Sequence, residues 1–262
     1  MTDQFIDHGG IRFRCRLDGP EGAPWMVFSN SLVTNLTVWE HQVRAFAGRY
    51  RILRYDQRGH GGTGVPAGPA DIGQLADDAA ALMTRFGVAD AVFIGVSMGA
   101  ATGFCLAQLV PHLVGRLVAS DGLPATAPGG AAAWQERIEI GQAGGMKAYA
   151  DVTIPRWFSA ASRAEGNPAI APVRAMIEAT PVDGFIACAR ALQDYDFRPG
   201  MATLKQPTLL IAGAEDGPTP AGLRALAPVM LDAAFIEIAA AGHIPGIERP
   251  DAFNAAVEIF LD

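Results

Sequence analysis

The stretch G-V-S-M-G-A at residues 95–100 follows the apolar run A-V-F-I and precedes A-T-G-F-C-L-A-Q-L. Its reading decides the fold. A short β-branched run, a glycine-flanked serine and an Ala-rich segment bounded by Pro111 predict a buried strand, a sharp turn and a buried helix. On such a turn the backbone of Ser97 takes an unfavourable conformation that only small neighbours two residues away permit, and Gly95 and Gly99 are those neighbours. A strained serine between strand and helix is a candidate nucleophile. Residues 91–110 carry no charge over a length that could span a bilayer, but the glycines at 95, 99 and 103 and the unlike halves exclude a membrane helix.

The pattern repeats outward from this point. Runs at 25–29, 51–56, 91–96, 116–121, 207–213 and 234–238 read as strands, and their near-continuous apolar character fits a parallel sheet covered on both faces. The alternating R-F-R-C-R at 12–16 reads as another strand with a solvated basic face. Between the runs lie helical segments such as 72–87, in which Leu75, Ala79, Leu82, Met83 and Phe86 share one face and Gly87 is placed to end the helix. Strands alternating with helices predict an α/β fold with a doubly wound, mostly parallel sheet. The alternation breaks once. From 123 to 201 no buried strand is predicted, so residues 1–122 and 202–262 form the expected core and 123–201 a helical insertion. Its expected place is over the carboxyl ends of the strands, where such sheets bind ligands.

Composition limits the function. The chain has 262 residues, 50% hydrophobic and 18% charged, with a net charge of −7. That describes a globular protein without the clustered Lys and Arg that phosphate backbones require, so a nucleic-acid partner is excluded. The polar opening M-T-D-Q-F-I-D-H predicts no secretory leader, and Cys15, Cys105 and Cys188 are scattered, so reduced thiols in the cytoplasm are expected. Cys105 falls in an apolar helical run and reads as core. No Cys/His group has metal-ligand spacing, and no metal or organic cofactor is expected.

A serine nucleophile needs a base, and the base needs a carboxylate to orient it. His243, in A-A-A-G-H-I-P-G, follows the last strand, whereas His112 stands at a helix-to-strand junction as a surface residue. Asp216 follows P-T-L-L-I-A-G-A-E and so lies at the same sheet edge as Ser97; Asp121, which ends the strand R-L-V-A-S-D, is the second choice for the acid. The order serine, acid, histidine is that of an acyl-transfer triad on an α/β sheet. Backbone donors for an oxyanion are expected at Met98, the start of the helix, and at Leu32 in S-N-S-L. Asp56, Arg58 and His60 in Y-D-Q-R-G-H-G read as pins of their loop.

The stretches S-N-S-L-V-T-N-L-T-V-W-E-H-Q, R-I-L-R-Y-D-Q-R-G-H-G and G-V-S-M-G resemble the 3-oxoadipate enol-lactonases of the α/β-hydrolase superfamily. So do W-Q-E-R-I, R-W-F and V-R-A-M-I-E-A-T-P-V-D-G-F-I-A-C-A-R-A-L-Q-D-Y-D in the insertion. The resemblance implies an α/β-hydrolase with a helical cap and a serine hydrolase of a small acidic lactone or ester. It implies Ser97, Asp216 and His243 as triad, Leu32 and Met98 as oxyanion donors, and Trp134, Trp157, Arg137 and Arg156 around the substrate. A carboxylesterase, a perhydrolase and a C–C bond hydrolase would use the same triad, and a non-catalytic ligand-binding relative stands outside that class. The sequence departs from the family at Val33 and Ala100, where glycine is usual, and at Ile244, Pro245 and Gly246 after the histidine.

Overall fold

The computed structural model describes residues 2–262. Eight strands form one sheet: β1 (Gln4–His8), β2 (Ile11–Asp18), β3 (Trp25–Ser29), β4 (Arg51–Tyr55), β5 (Ala91–Val96), β6 (Val114–Ser120), β7 (Thr208–Gly213) and β8 (Ala233–Ile238). Their order is β1-β2-β4-β3-β5-β6-β7-β8. Strands β3 to β8 are parallel, while β2 runs antiparallel to β1 and β4. Every residue of β5 and β7 is buried, as expected of strands covered on both faces. β1 was not among the expected strands, because Q-F-I-D-H is a mostly exposed edge without an apolar run. The basic face of β2 is not simply solvated either: Arg14 and Arg16 pair with Asp3, and Arg14 also reaches Asp56.

The helices are α1 (Glu40–Phe46), α2 (Ile72–Arg85), α3 (Met98–Leu109), α4 (Gly130–Trp157), α5 (Ala160–Ala164), α6 (Ile170–Ala179), α7 (Val182–Ala191), α8 (Arg198–Met201), α9 (Thr219–Leu226), α10 (Pro245–Glu248) and α11 (Pro250–Leu261). Asp71 opens α2 with a capping box to Gln74, worth about 1 kcal/mol, and Gly87 follows its end at φ 70°. Helices α4 to α8 fill the interval between β6 and β7, where the only strand-like pairing among the described residues is a single bridge from Ala125 to Asp196. Within α4 the backbone breaks at Gly145, whose φ of 70° no other residue type adopts freely. The loop Gln57–Gly64 is a seat for α7. Gly59 and Gly184 touch backbone to backbone, leaving no room for a Cβ on either, and the Cys188 thiol reaches the Arg58 carbonyl.

Burial pushes the thiols up, Cys15 and Cys188 to about 12 and Cys105 to about 11, so none is a ready thiolate. No helix among the described residues is long and apolar enough to cross a membrane.

Candidate active site

Ser97 stands between β5 and α3 with φ 57° and ψ −112°. A side-chain-bearing residue there is strained by about 1–3 kcal/mol. The surroundings hold it in place. The Ser97 amide donates to Ser120 O at 2.8 Å, and the Ser97 carbonyl accepts from the amides of Ala100 and Ala101. A Cβ on Gly95 would strike the Gly99 carbonyl, and one on Gly99 would strike the Ser29 carbonyl, so both glycines are required by close backbone approach. Beside the turn, Gly122 packs on Ala100 and on the Ser97 carbonyl.

Two further strand ends converge on the serine. Asp216 follows β7, and its Oδ2 lies 2.9 Å from Nδ1 of His243, which follows β8. This contact fixes the tautomer, since an Nδ1–H donated to a carboxylate leaves Nε2 free to accept a proton. The imidazole is also held from behind. The His243 amide donates to Trp157 O at 2.9 Å, and the rings of Trp157 and His243 lie 5.5 Å apart. Glu248 braces the same junction, accepting from the amide and hydroxyl of Ser159 and from the Gly242 amide at 2.5–2.8 Å. Glu215 points elsewhere, to the Ala160 amide.

Ser97, Asp216 and His243 line one cavity of about 610 Å³, within the range of small-molecule sites. The Ser97 hydroxyl makes no hydrogen bond to the imidazole; such links often tighten only around substrate. Its far wall comes from the inserted helices and includes all of Trp134, Trp157, Arg137 and Arg156. The Arg137 guanidinium lies 4.4 Å over the Trp134 ring. Burial, and next the nearby Arg156, hold its pKa below the usual arginine value. Arg163 and Tyr195 also line the cavity; Arg163 stands in no motif, and Tyr195 falls in the Q-D-Y-D end of the resembling stretch without being singled out by it. No carboxylate pairs with Arg137, Arg156 or Arg163 among the described residues. The nearest acceptor recorded for any of them is Phe158 O, 3.3 Å from Arg163.

The amides of Leu32 and Met98 donate to no protein acceptor among the described residues, which leaves them available, although neither residue contributes to the cavity wall. Val33, directly after Leu32, is fully buried at φ 57°, a region that favours glycine over a β-branched residue. The departures after His243 do not border the cavity as their closeness in sequence suggests. Ile244 and Gly246 face a small apolar void beside Trp39 and Phe253, and Pro245 opens α10.

Asp56, Arg58 and His60 stand away from the cavity. Asp56 accepts from the amides of Leu36 and Gly62, Arg58 forms a two-point ion pair with Asp78, and buried His60 meets the Arg58 carbonyl. Asp121, at the end of β6, offers an oxygen within 4.8 Å of Asp216 and His243. Each of the three has hydrogen-bond partners of its own: Ser120 and the Gly213 amide meet the two Asp121 oxygens, and Asp216 meets Nδ1 of His243.

The sheet order, the strained serine and the histidine–carboxylate pair define an α/β hydrolase, and comparison with known proteins agrees. Residues 22–256 match the alpha/beta hydrolase family. The chain is 33% identical to 3-oxoadipate enol-lactonase 2 of Acinetobacter baylyi over 93% of its own length and 90% of the relative's. The crystal structure of the enol-lactonase from Burkholderia xenovorans superposes with a TM-score of 0.94 at 36% identity, covering 98% of this chain and 99% of that one. A malate-bound thermophilic esterase from Thermogutta terrifontis gives 0.91 at 25% identity, covering 100% and 98%. The chain belongs to the alpha/beta hydrolase family and groups there with the 3-oxoadipate enol-lactonases. It is a hydrolase of lactone or ester bonds.

Proposed function

We propose that the chain hydrolyses a small lactone carrying a carboxylate, of the 3-oxoadipate enol-lactone type, through an acyl-enzyme on Ser97. His243 takes the serine proton as the hydroxyl attacks the carbonyl and returns it to the leaving oxygen; in a lactone that oxygen stays tethered to the acyl group. Water, activated by the same imidazole, then releases the acid. Asp216 orients the ring and balances the imidazolium. The amides of Leu32 and Met98 receive the oxyanion. Helices α4 to α8 act as a cap over the reaction, and Trp134 and Trp157 wall the ring of the substrate.

The observation that carries this reading is the composition of the cavity at Ser97. A strained serine and a histidine–aspartate pair stand on its sheet side, and unpaired guanidinium groups stand opposite. A half-buried arginine in ion pair with no carboxylate leaves a site for an anion, and a planar guanidinium suits a carboxylate in two-point contact. The enol-lactonase relatives are named for lactones, and the esterase neighbour was solved with malate, itself a small carboxylate.

Two measurements test it. A fluorophosphonate should label the protein at Ser97, and failure to label would remove the nucleophile. An anionic enol-lactone should be turned over with higher kcat/KM than its neutral methyl ester. Preference for the neutral compound would make the protein a general esterase.

A further inference from the structure

Asp121 is left over when one acid is assigned to the triad, yet it is held as firmly as any residue of the site. Its backbone turns at φ 50°, a left-handed conformation for a residue other than glycine. The amide donates to Ile211 O at 2.9 Å, Oδ1 accepts from the Gly213 amide at 2.8 Å, and the Ser120 hydroxyl lies 2.6 Å from Oδ2. The side chain is buried and pairs with no Lys or Arg among the described residues. From the neighbouring strand ends, the titratable groups that face it are Asp216 after β7 and His243 after β8, each with an atom within 4.8 Å.

Two carboxylates crowded into a buried volume cannot both ionise without a compensating cation. Asp216 is part-exposed and has the histidine as partner, whereas Asp121, although it borders the same cavity, is almost wholly buried and faces no cation of its own among the described residues. Burial first, and the neighbouring Asp216 next, hold the Asp121 carboxyl well above the ordinary range. A neutral carboxyl in that place has a proton to donate, and the Asp216 carboxylate is the anionic acceptor at hand.

We propose that Asp121 is a positioning residue, a neutral carboxylic acid that donates its proton in a hydrogen bond to the Asp216 carboxylate. The two then form a carboxyl–carboxylate pair of single negative charge behind His243. The shared hydrogen bond fixes the rotamer of Asp216 so that Oδ2 faces Nδ1 of His243. It also draws charge from that carboxylate, which then attracts a charged imidazolium less strongly than a lone aspartate would. The inference rests on the reading of Asp216 and His243 as acid and base.

The test follows the His243 imidazole by NMR in the whole enzyme labelled with nitrogen-15 histidine, titrated with pH, and so reads the ring and not turnover. Asp121→Asn keeps a neutral donor toward Asp216 and an acceptor for the Gly213 amide; its His243 midpoint should match that of the wild type. Asp121→Ala withdraws the donor. Asp216 then bears its full charge toward the imidazolium, so the midpoint should rise, by roughly half a pH unit. A fall of that size in Asp121→Asn would show that Asp121 was an anion and overturn the proposal. No movement in either variant would reduce Asp121 to a packing role and overturn it too. Should Asp121→Ala fail to fold, infrared spectra of the wild type and Asp121→Asn suffice. A protonated-carboxyl band at neutral pH must be present in the first and lost in the second, and its absence from the wild type sinks the idea. Loss of fluorophosphonate labelling would instead count against the serine mechanism, so the two failures are distinguishable.

Discussion

The two walls of the cavity are built on opposite terms. On the sheet side, Ser97 and Asp121 take left-handed backbone conformations, as does Val33 beside the expected oxyanion donor, and the ionisable groups are acidic apart from the histidine. On the cap side, between Gly130 and Met201, no described residue other than glycine has a positive φ, and the titratable groups offered to the cavity include three guanidiniums. The sheet edge fixes reacting atoms by strain that only a rigid core tolerates. The cap presents charge on ordinary helices, where a change of residue leaves the scaffold intact. Under the proposed mechanism chemistry and selectivity are therefore separable, and variants on the two sides should fail differently.

The largest effect is expected on the sheet side. Ser97→Ala should lower kcat by about four to six orders of magnitude and leave the melting temperature nearly unchanged, because triad members act as a unit. Asp216→Asn should cost about 10⁴. An Asp121→Asn variant more damaged than Asp216→Asn in steady-state kinetics would exchange the roles of the two acids.

Next comes the seat between the walls. Burial lowers the pKa of His60 from 6.5 to about 4. The unfolded chain therefore takes up this proton first. The stabilisation is complete above pH 6.5 and lost as the pH falls toward 4, by about 1.4 kcal/mol per unit and about 3 kcal/mol in all. Urea unfolding between pH 7 and pH 4 should show that slope in the wild type and a shallower one in His60→Gln.

Cap variants should change selectivity. Arg137→Ala should raise KM for an anionic lactone by about 10- to 100-fold, the worth of a charge-assisted hydrogen bond, and barely affect the methyl ester. Arg156→Ala, at a more exposed position, should do the same more weakly. Equal losses on both compounds would show that these arginines support the cap and not the anion. The smallest change is expected for Trp134→Ala, about a tenfold rise in KM with little loss of melting temperature, since an aromatic wall lends apolar area to the ligand. Unchanged kinetics with a large fall in melting temperature would move Trp134 from the wall of the site to the core of the cap.

What could be read from the sequence follows the same division. The parallel strands β3 to β7 were legible because burial on both faces writes a near-continuous apolar run, part-exposed β8 because A-F-I-E-I keeps enough of one, and the serine turn because G-x-S-x-G answers a steric demand that Gly95 and Gly99 meet. Asp216 and His243 were legible from chain order. Edge strand β1 was not, since exposure erases the pattern, and neither was the break in α4, where Gly145 looks like any other glycine of an Ala-Gly segment. The approach of Asp121 to Asp216 depends on the pairing of β6 with β7, and no local pattern encodes register between distant strands. Arg163 and Glu248 act through partners supplied by the fold. The converse holds after His243, where Ile244 and Gly246, neighbours of the histidine in sequence, turn away from the cavity into the void beside Trp39.

Glu248 has a consequence for how the molecule breathes. One carboxylate ties the Ser159 end of α4 to the Gly242 turn, and the His243 amide ties that turn to Trp157. Local opening at this corner must part both segments together, so the amides of Ser159, Gly242 and His243 belong to one exchange unit. Any ligand that stiffens the Trp157 corner thereby slows solvent exchange at the histidine as well.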